Sequence, residues 1–243
     1  MRAETVEPLV SSWPWLKPLV IAAVGSFAGA LGGAWGAQKI AERSKRRDDL
    51  LLEIRNTNAA LMVCFNICNA ALTVKKQHVK PLFDDYQYNL KRFRQTRAEK
   101  INPSSSQEQR VVEFTFDFKE IQAPLVPIKT LEELVFNKIS CLGRPLILVQ
   151  MIDQCTCSLQ VAVEKRKKLT DSYQAMPQNV IMHLYFGEAF PNGSENHEYP
   201  DTLEAINLYL DNIIFFSNLL SKDLKAHGDK LKEKFEKEFD GGA

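Results

Sequence analysis

Motifs of known reaction chemistry are missing from this chain. No Gly-Lys-Ser/Thr loop and no Gly-x-Ser-x-Gly elbow occurs, which removes the usual signatures of nucleotide hydrolysis and of serine hydrolases. The histidines stand far apart and none belongs to His-Glu-x-x-His, so a zinc protease is not indicated. The sequence therefore predicts no catalytic, cofactor-binding or metal-binding residue.

An excess of charge of one sign is also lacking. The chain has 31 Lys and Arg against 30 Asp and Glu, a net charge of +1, which argues against a protein whose main task is to coat nucleic acid. Cysteine is scarce and odd in number, since five Cys occur without the spacing of a disulfide framework. We expect at least one free thiol and a reducing compartment for the soluble part.

Charge is absent altogether from the 21 residues between Lys17 and Lys39. At about 1.5 Å per residue, a helix of this length just crosses a hydrocarbon core of about 30 Å. A dinucleotide loop would need Gly-x-Gly-x-x-Gly after a strand, whereas these glycines stand four apart, on one helical face. The sequence predicts a transmembrane helix at residues 18–38, with a cleaved signal peptide as the alternative.

The flanks of this helix differ in charge. Arg2 and Lys17 precede it together with two glutamates, whereas a dense cluster of Lys and Arg follows it, between residues 39 and 47. Because positive charge accumulates on the cytoplasmic side of a membrane, we expect residues 1–17 outside and the remainder in the cytoplasm, most simply at a bacterial inner membrane.

The predicted span contains few large apolar residues and many small ones. Small residues allow close approach of a second helix, so we expect self-association into a homo-oligomer. The predicted helix-packing residues are Gly25, Ser26, Gly29 and Gly33. The alternative is that these small residues only tolerate lipid.

The basic residues that follow the span have an obvious partner in anionic lipid headgroups. The predicted lipid contacts are Lys39, Arg43, Lys45, Arg46 and Arg47. Two further groups of basic residues lie at residues 91–97 and 165–168, and we interpret them as solvated helix faces. Because no exposed aromatic residues are interleaved with them, we do not expect them to bind nucleic acid.

Residues 40–79 contain neither glycine nor proline, which predicts one long helix that leaves the membrane. We expect a kink at Pro81, followed by a second amphipathic helical segment to about Glu99. Further helices are predicted near residues 130–140, at 144–173 and after Asp201. Between them, phenylalanines alternate with polar residues in an extended segment that starts near Val111. A strand or a helix also fits that segment.

These elements predict a mostly α fold: a single N-terminal transmembrane helix followed by a cytosolic antiparallel helical bundle with one extended Phe-rich segment. The predicted divisions are an external tail at residues 1–17, the span at 18–38, the bundle at 39–227 and a charged tail at 228–243. Core positions of the bundle are Leu61, Cys64, Cys68, Leu148, Ile152, Cys155, Leu210 and Ile213.

In layout alone, the chain resembles small accessory membrane proteins of bacterial CRISPR and other antiviral systems, some of which assemble into pores. No motif carries this resemblance. The sequence favours a non-enzymatic, single-pass, self-associating membrane protein that presents its bundle to a protein partner. The alternatives are an oligomeric pore or effector, as in antiviral defence, and a membrane-anchored enzyme without a recognisable motif.

The predicted topology can be tested with an impermeant thiol reagent on intact cells. We expect labelling of Ser11→Cys, in the external tail, and no labelling of Ser105→Cys, in the polar loop at residues 102–109, because only the former lies outside. The unmodified chain gives the background from the native cysteines, and permeabilised cells should label at both positions. The reverse pattern on intact cells would overturn the orientation.

Overall fold

Helices make up most of the computed structural model, which describes the backbone of residues 16–101 and 113–240 and the side chains of residues 32–99 and 113–239. The α-helices are α1 (Leu16–Val74), α2 (Lys80–Ile101), α3 (Ile128–Glu133), α4 (Arg144–Tyr173), α5 (Gln178–Phe186) and α6 (Glu198–Phe235). Three π-helical turns lie at Lys75–Val79, Leu134–Lys138 and Glu236–Asp240. No strand occurs in the described backbone, so the mostly helical fold class is confirmed.

The N-terminal half stays helical through the predicted kink. α1 passes into the π-helical turn Lys75–Val79, and α2 follows directly. Pro81 has no N–H to donate and its ring crowds the carbonyl of the residue four positions earlier, which is Gln77. The widened π-helical turn contains Gln77, so it lies where that proline disturbs α-helical hydrogen bonding.

The chain divides into two compact units. Met1–Leu52 together with Phe235–Ala243 forms the smaller unit, and Glu53–Lys234 forms the larger one. Of the smaller unit, the structure describes residues 16–52 and 235–240. The polar loop predicted at residues 102–109 and residues 1–15 of the predicted external tail lie outside the described residues.

In the larger unit, α1 and α6 pack with opposite directions. The Cys64 thiol donates to the Ser217 carbonyl oxygen at 3.1 Å, and the Ser221 hydroxyl donates to the Cys64 sulfur at 3.4 Å. Directly after α1, Lys75 of the π-helical turn forms an ion pair with Asp211 of α6, so residue numbers rise on one side of the contact as they fall on the other.

The core face of α6 agrees with its sequence period. The predicted core residues Leu210 and Ile213 are buried, and the residues at helical spacing from them are buried as well: Leu203, Ser217, Leu220 and Leu224. In α4, Leu148, Ile152 and Cys155 are buried as predicted. Among the described side chains of α1, those with at most 1% exposure are Thr57, Ala60, Cys64, Ile67 and Ala71. The predicted core residues Leu61 and Cys68 are only half-buried. The buried face of α1 is therefore rotated slightly from the predicted one.

Residues 113–127 form neither helix nor strand, and their phenylalanines lie against the helices. The Phe114 ring centroid lies 5.7 Å from that of Phe93 in α2, and the Phe116 centroid lies 5.1 Å from that of Tyr185 in α5. Phe118 and Tyr173 have centroids 6.3 Å apart. The aromatic rings therefore attach the segment to three helices.

The end of α5 requires glycine. Gly187 has φ of +65°, the left-handed conformation that commonly ends a helix. A Cβ there would lie 2.8 Å from both His197 Nδ1 and Pro200 Cγ. The turn between α5 and α6 thus excludes any larger residue on two grounds, backbone conformation and space.

Truncation of core residues of α6 tests its register. Leu210 and Ile213 are completely buried, and truncation of such residues typically costs about 2–5 kcal/mol of unfolding free energy. We expect Leu210→Ala and Ile213→Ala each to lower the Tm of the full chain in detergent by several degrees. Leu208→Ala is the matched control, since Leu208 lies on the same helix and is 53% exposed. Equal Tm values for all three variants would contradict this register.

Candidate membrane-contact and self-association site

An N-terminal helix of the chain is apolar enough to cross a membrane by length and composition, and so is α4. Helices in the core of a folded domain have the same composition, and α4 shows their burial pattern. Leu148, Ile152 and Leu159 on one face of α4 are at most 5% exposed, whereas Ile147 and Val161 on its other side are 59% and 70% exposed. It also carries a buried arginine, Arg166, within the larger unit. These features are typical of a core helix rather than of a second span.

The predicted helix-packing residues belong to α1. Gly25, Ser26 and Gly29 lie on its helical backbone, in the part whose side chains are outside the described residues. Gly33 is exposed, and no neighbouring side chain lies within 4 Å of the position a Cβ would take. Gly32 and Gly36 likewise have no neighbouring side chain within 4 Å of the position a Cβ would take. Within one copy of the chain, no described residue therefore covers this part of the helix surface.

The predicted lipid-contact residues differ in what surrounds them. All five are exposed, and Lys39 lies over the ring of Trp35, 5.4 Å from its centroid. The other described contacts join Arg43 and Arg46 to the C-terminal π-helical turn, in the same compact unit. Sequence reasoning missed these contacts because 192 residues separate Arg46 from its partner. No periodic pattern signals a contact of that separation.

Arg166 is the largest charged side chain in the core of the larger unit, at 2% exposure. Its guanidinium donates to the backbone oxygens of Lys119 at 2.7 Å and Asp117 at 2.9 Å. It also lies over the Tyr199 ring, 5.8 Å from the centroid. An arginine so placed satisfies backbone carbonyls of residues 113–127 that have no helix or strand to bind them.

The interpretation of residues 165–168 as a solvated basic face is wrong for Arg166. The buried positions of α4 advance by three or four residues, and Arg166 falls on this series. That period was a signal in the sequence, overlooked because basic neighbours surround it. In the other basic group, Arg94 and Arg97 both form ion pairs with Glu188, at 2.6 and 3.3 Å.

One cluster brings a serine, a histidine and a glutamate together in the larger unit. Glu53 Oε1 accepts hydrogen bonds from the Ser140 amide at 2.9 Å, from the Ser140 hydroxyl, and from His227 Nε2 at 3.2 Å. A catalytic nucleophile would instead bond to the histidine. The arrangement joins α1, α6 and the segment before α4 through a single carboxylate.

The cysteines are unpaired, and most are shielded from solvent. Burial raises the pKa of Cys64 to about 11, which keeps its thiol protonated and weakly nucleophilic at neutral pH. Cys155 is buried and Cys157 is exposed, because residues two apart on a helix lie on different faces. Four of the cysteines are thus buried or half-buried, and Cys157 is a thiol on the surface.

Two open grooves flank Cys157 on α4. One, of about 420 Å³, lies between α4 and α6 and includes Val161, Lys165 and Tyr209. The other, of about 460 Å³, lies between α4 and the chain near Leu125. Val161 is 70% exposed and Leu125 is 95% exposed, so both grooves offer apolar surface to solvent.

No group of three His, Cys, Asp or Glu side chains able to hold a metal ion occurs among the residues whose side chains the structure describes. Comparison with known proteins finds no matching family model, curated protein or solved structure.

The Glu53 cluster predicts a pH dependence of stability. Burial opposes ionisation of this carboxyl group, but hydrogen bonds from Ser140 and His227 outweigh it and hold the pKa of Glu53 below its ordinary value. Its stabilisation is therefore complete above the unfolded-state pKa, about 4.3, and is lost as the pH falls through the lower folded-state value. We expect Glu53→Gln to cost about 1.5–3 kcal/mol at pH 7 and progressively less below pH ~4.

Thermal unfolding of both proteins from pH 3 to pH 8 measures this difference. Glu204→Gln is the control, because Glu204 is exposed on α6, and its Tm should follow the unmodified chain throughout. A Glu53→Gln deficit that stayed constant down to pH 3 would show that the carboxylate charge does not stabilise the fold.

Proposed function

We propose that this chain is a non-enzymatic, single-pass membrane protein that self-associates through its N-terminal helix and presents a cytosolic antiparallel helical bundle to a protein partner. The span is residues 18–38, with the N-terminus outside and the bundle in the cytoplasm, at a bacterial inner membrane. The observation that carries the proposal is the open glycine surface of α1 around Gly33, continuous by helical spacing with Gly25 and Gly29.

Helix association in a lipid environment supports this assignment of the glycine face. Lipid tails solvate apolar side chains as well as a neighbouring helix does, so association depends on close packing. Glycines four residues apart remove side-chain bulk from one strip of the helix, and backbones can then approach. Gly33 has the space that such an approach needs, since a Cβ there would meet no neighbouring side chain within 4 Å.

The larger unit supports the role in protein interaction. Its helices bury a continuous apolar core, yet large apolar side chains remain exposed on several elements. They include Met62, Phe65, Leu125, Val161 and Phe215. The two grooves beside Cys157 add concave apolar surface. Apolar surface of this kind favours binding of a protein partner where the exposed side chains adjoin, as they do in the grooves beside Cys157.

A pore is the alternative use of the same helix association. It needs a ring of several spans around a polar or small-residue lumen, whereas a scaffold needs only two packed helices. The predicted span contains no charged residue to line a selective ion path. The scaffold is therefore the proposal, and the pore is an outcome that the same experiment can reveal.

The test is the oligomeric state of the full chain in nanodiscs or detergent, together with dye leakage from liposomes. We expect a dimer without leakage, and we expect Gly29→Leu to convert it largely to monomer because an isobutyl group separates the helices. Ala34→Leu is the matched control: it adds similar bulk about 140° around the helix from Gly29, so the dimer should persist.

The other outcomes decide between the alternatives. A large ring with dye leakage would replace the scaffold by the pore. A chain that is monomeric, with or without Gly29→Leu, would refute self-association in both forms. Equal dissociation by Gly29→Leu and Ala34→Leu would show that added bulk anywhere in the span matters and would remove the glycine face from the proposal.

A further inference from the structure

The C-terminal turn, defined here as residues 235–240, contacts the basic residues that follow the predicted span. Glu238 Oε1 forms an ion pair with Arg46 at 2.8 Å. Arg43 donates to the backbone oxygen of Glu238 at 3.4 Å, and its guanidinium lies 5.8 Å from the centroid of the Phe239 ring. The Phe235 and Phe239 rings lie 5.3 Å apart. All of these residues belong to the smaller unit.

We propose that the C-terminal turn is an internal competitor of the membrane surface: it occupies Arg43 and Arg46, and anionic phospholipid headgroups displace it. The inference rests on the proposed function, because it requires the adjoining helix to be inserted in a bilayer. It goes further in assigning the C-terminal turn a role in regulating contact between the chain and anionic lipid.

The same guanidinium groups suit both ligands. Arginine binds carboxylates and phosphates alike through its planar set of N–H donors, so a headgroup phosphate can take the place of Glu238. The Arg46 side chain remains 62% exposed in the ion pair, whereas Glu238 is 29% exposed. A headgroup can therefore approach Arg46 before the carboxylate leaves.

The position of both arginines brings them within reach of the headgroup layer. They follow Gln38, the last residue of the predicted span, by five and eight residues, which is about 8 and 12 Å along a helix. Long arginine side chains can extend back toward the interface. Arg43 and Arg46 thus lie within the range where an anionic surface attracts basic residues.

Charge and local stability also favour displacement. The C-terminal turn carries Glu236, Glu238 and Asp240 against one lysine, so an anionic surface repels it while attracting the arginines. The free energy gained from an exposed ion pair is no larger than the free energy gained when a basic residue approaches an anionic lipid surface. Segments next to a chain terminus also open at low free-energy cost.

Amide hydrogen exchange of the full chain in nanodiscs tests the proposal. In phosphatidylcholine discs we expect protected amides at residues 236–239. In discs containing phosphatidylglycerol, the same amides should exchange roughly two- to fivefold faster, the range for loss of an exposed ion pair. Glu238→Gln should raise exchange in phosphatidylcholine discs by a similar factor and should remove most of the dependence on lipid.

Glu236→Gln is the matched control, because it removes the same charge two residues away at an exposed position for which the structure describes no ion pair. It should retain the lipid dependence. Equal protection in both disc types, or identical behaviour of the two variants, overturns the competition while the chain remains in the discs. A chain that does not stay in the discs overturns the proposed function itself and this inference with it.

Discussion

The backbone of residues 113–127 can lie against the helices only if other groups bind its carbonyl oxygens, since it forms neither helix nor strand. Arg166 meets this constraint at two positions of the segment, the carbonyl oxygens of Asp117 and Lys119. The aromatic rings of the segment then pack on α2, α4 and α5. One buried cation thus holds together an aromatic cluster that no single helix could form.

Periodicity identified the buried face well where that face recurs at regular helical steps. In α6 the buried face runs through Leu203, Leu210, Ile213, Ser217, Leu220 and Leu224, whereas Leu208 and Phe215 between them are exposed. α1 is different, since small or apolar residues occupy adjacent positions such as Ala60 and Leu61. The sequence then fits two neighbouring faces equally well. The face with Ala60 and Ile67 is the one that is buried, and Cys64 on that face contacts α6.

The candidate site was predictable only where the signal is local. The sequence alone shows the cluster of basic residues that follows the uncharged stretch. It also shows the four-residue spacing of the glycines within that stretch. The contacts of Arg43 and Arg46 with Glu238 and Phe239 depend on the path of the whole chain, and no local pattern specifies them. Arg166 falls between these cases, since its helical period was visible but its partners were not.

The pairing of α1 with α6 also affects the order in which the fold can assemble during synthesis. Cys64 and Cys68 contact residues 146–157 positions later in the chain. At a translation rate of about 5–20 residues per second, α1 waits about 7–30 s for the helix that covers it. During that interval the face of α1 that α6 covers lacks its partner, and the packing of α1 against α6 can form only after α6 has left the ribosome.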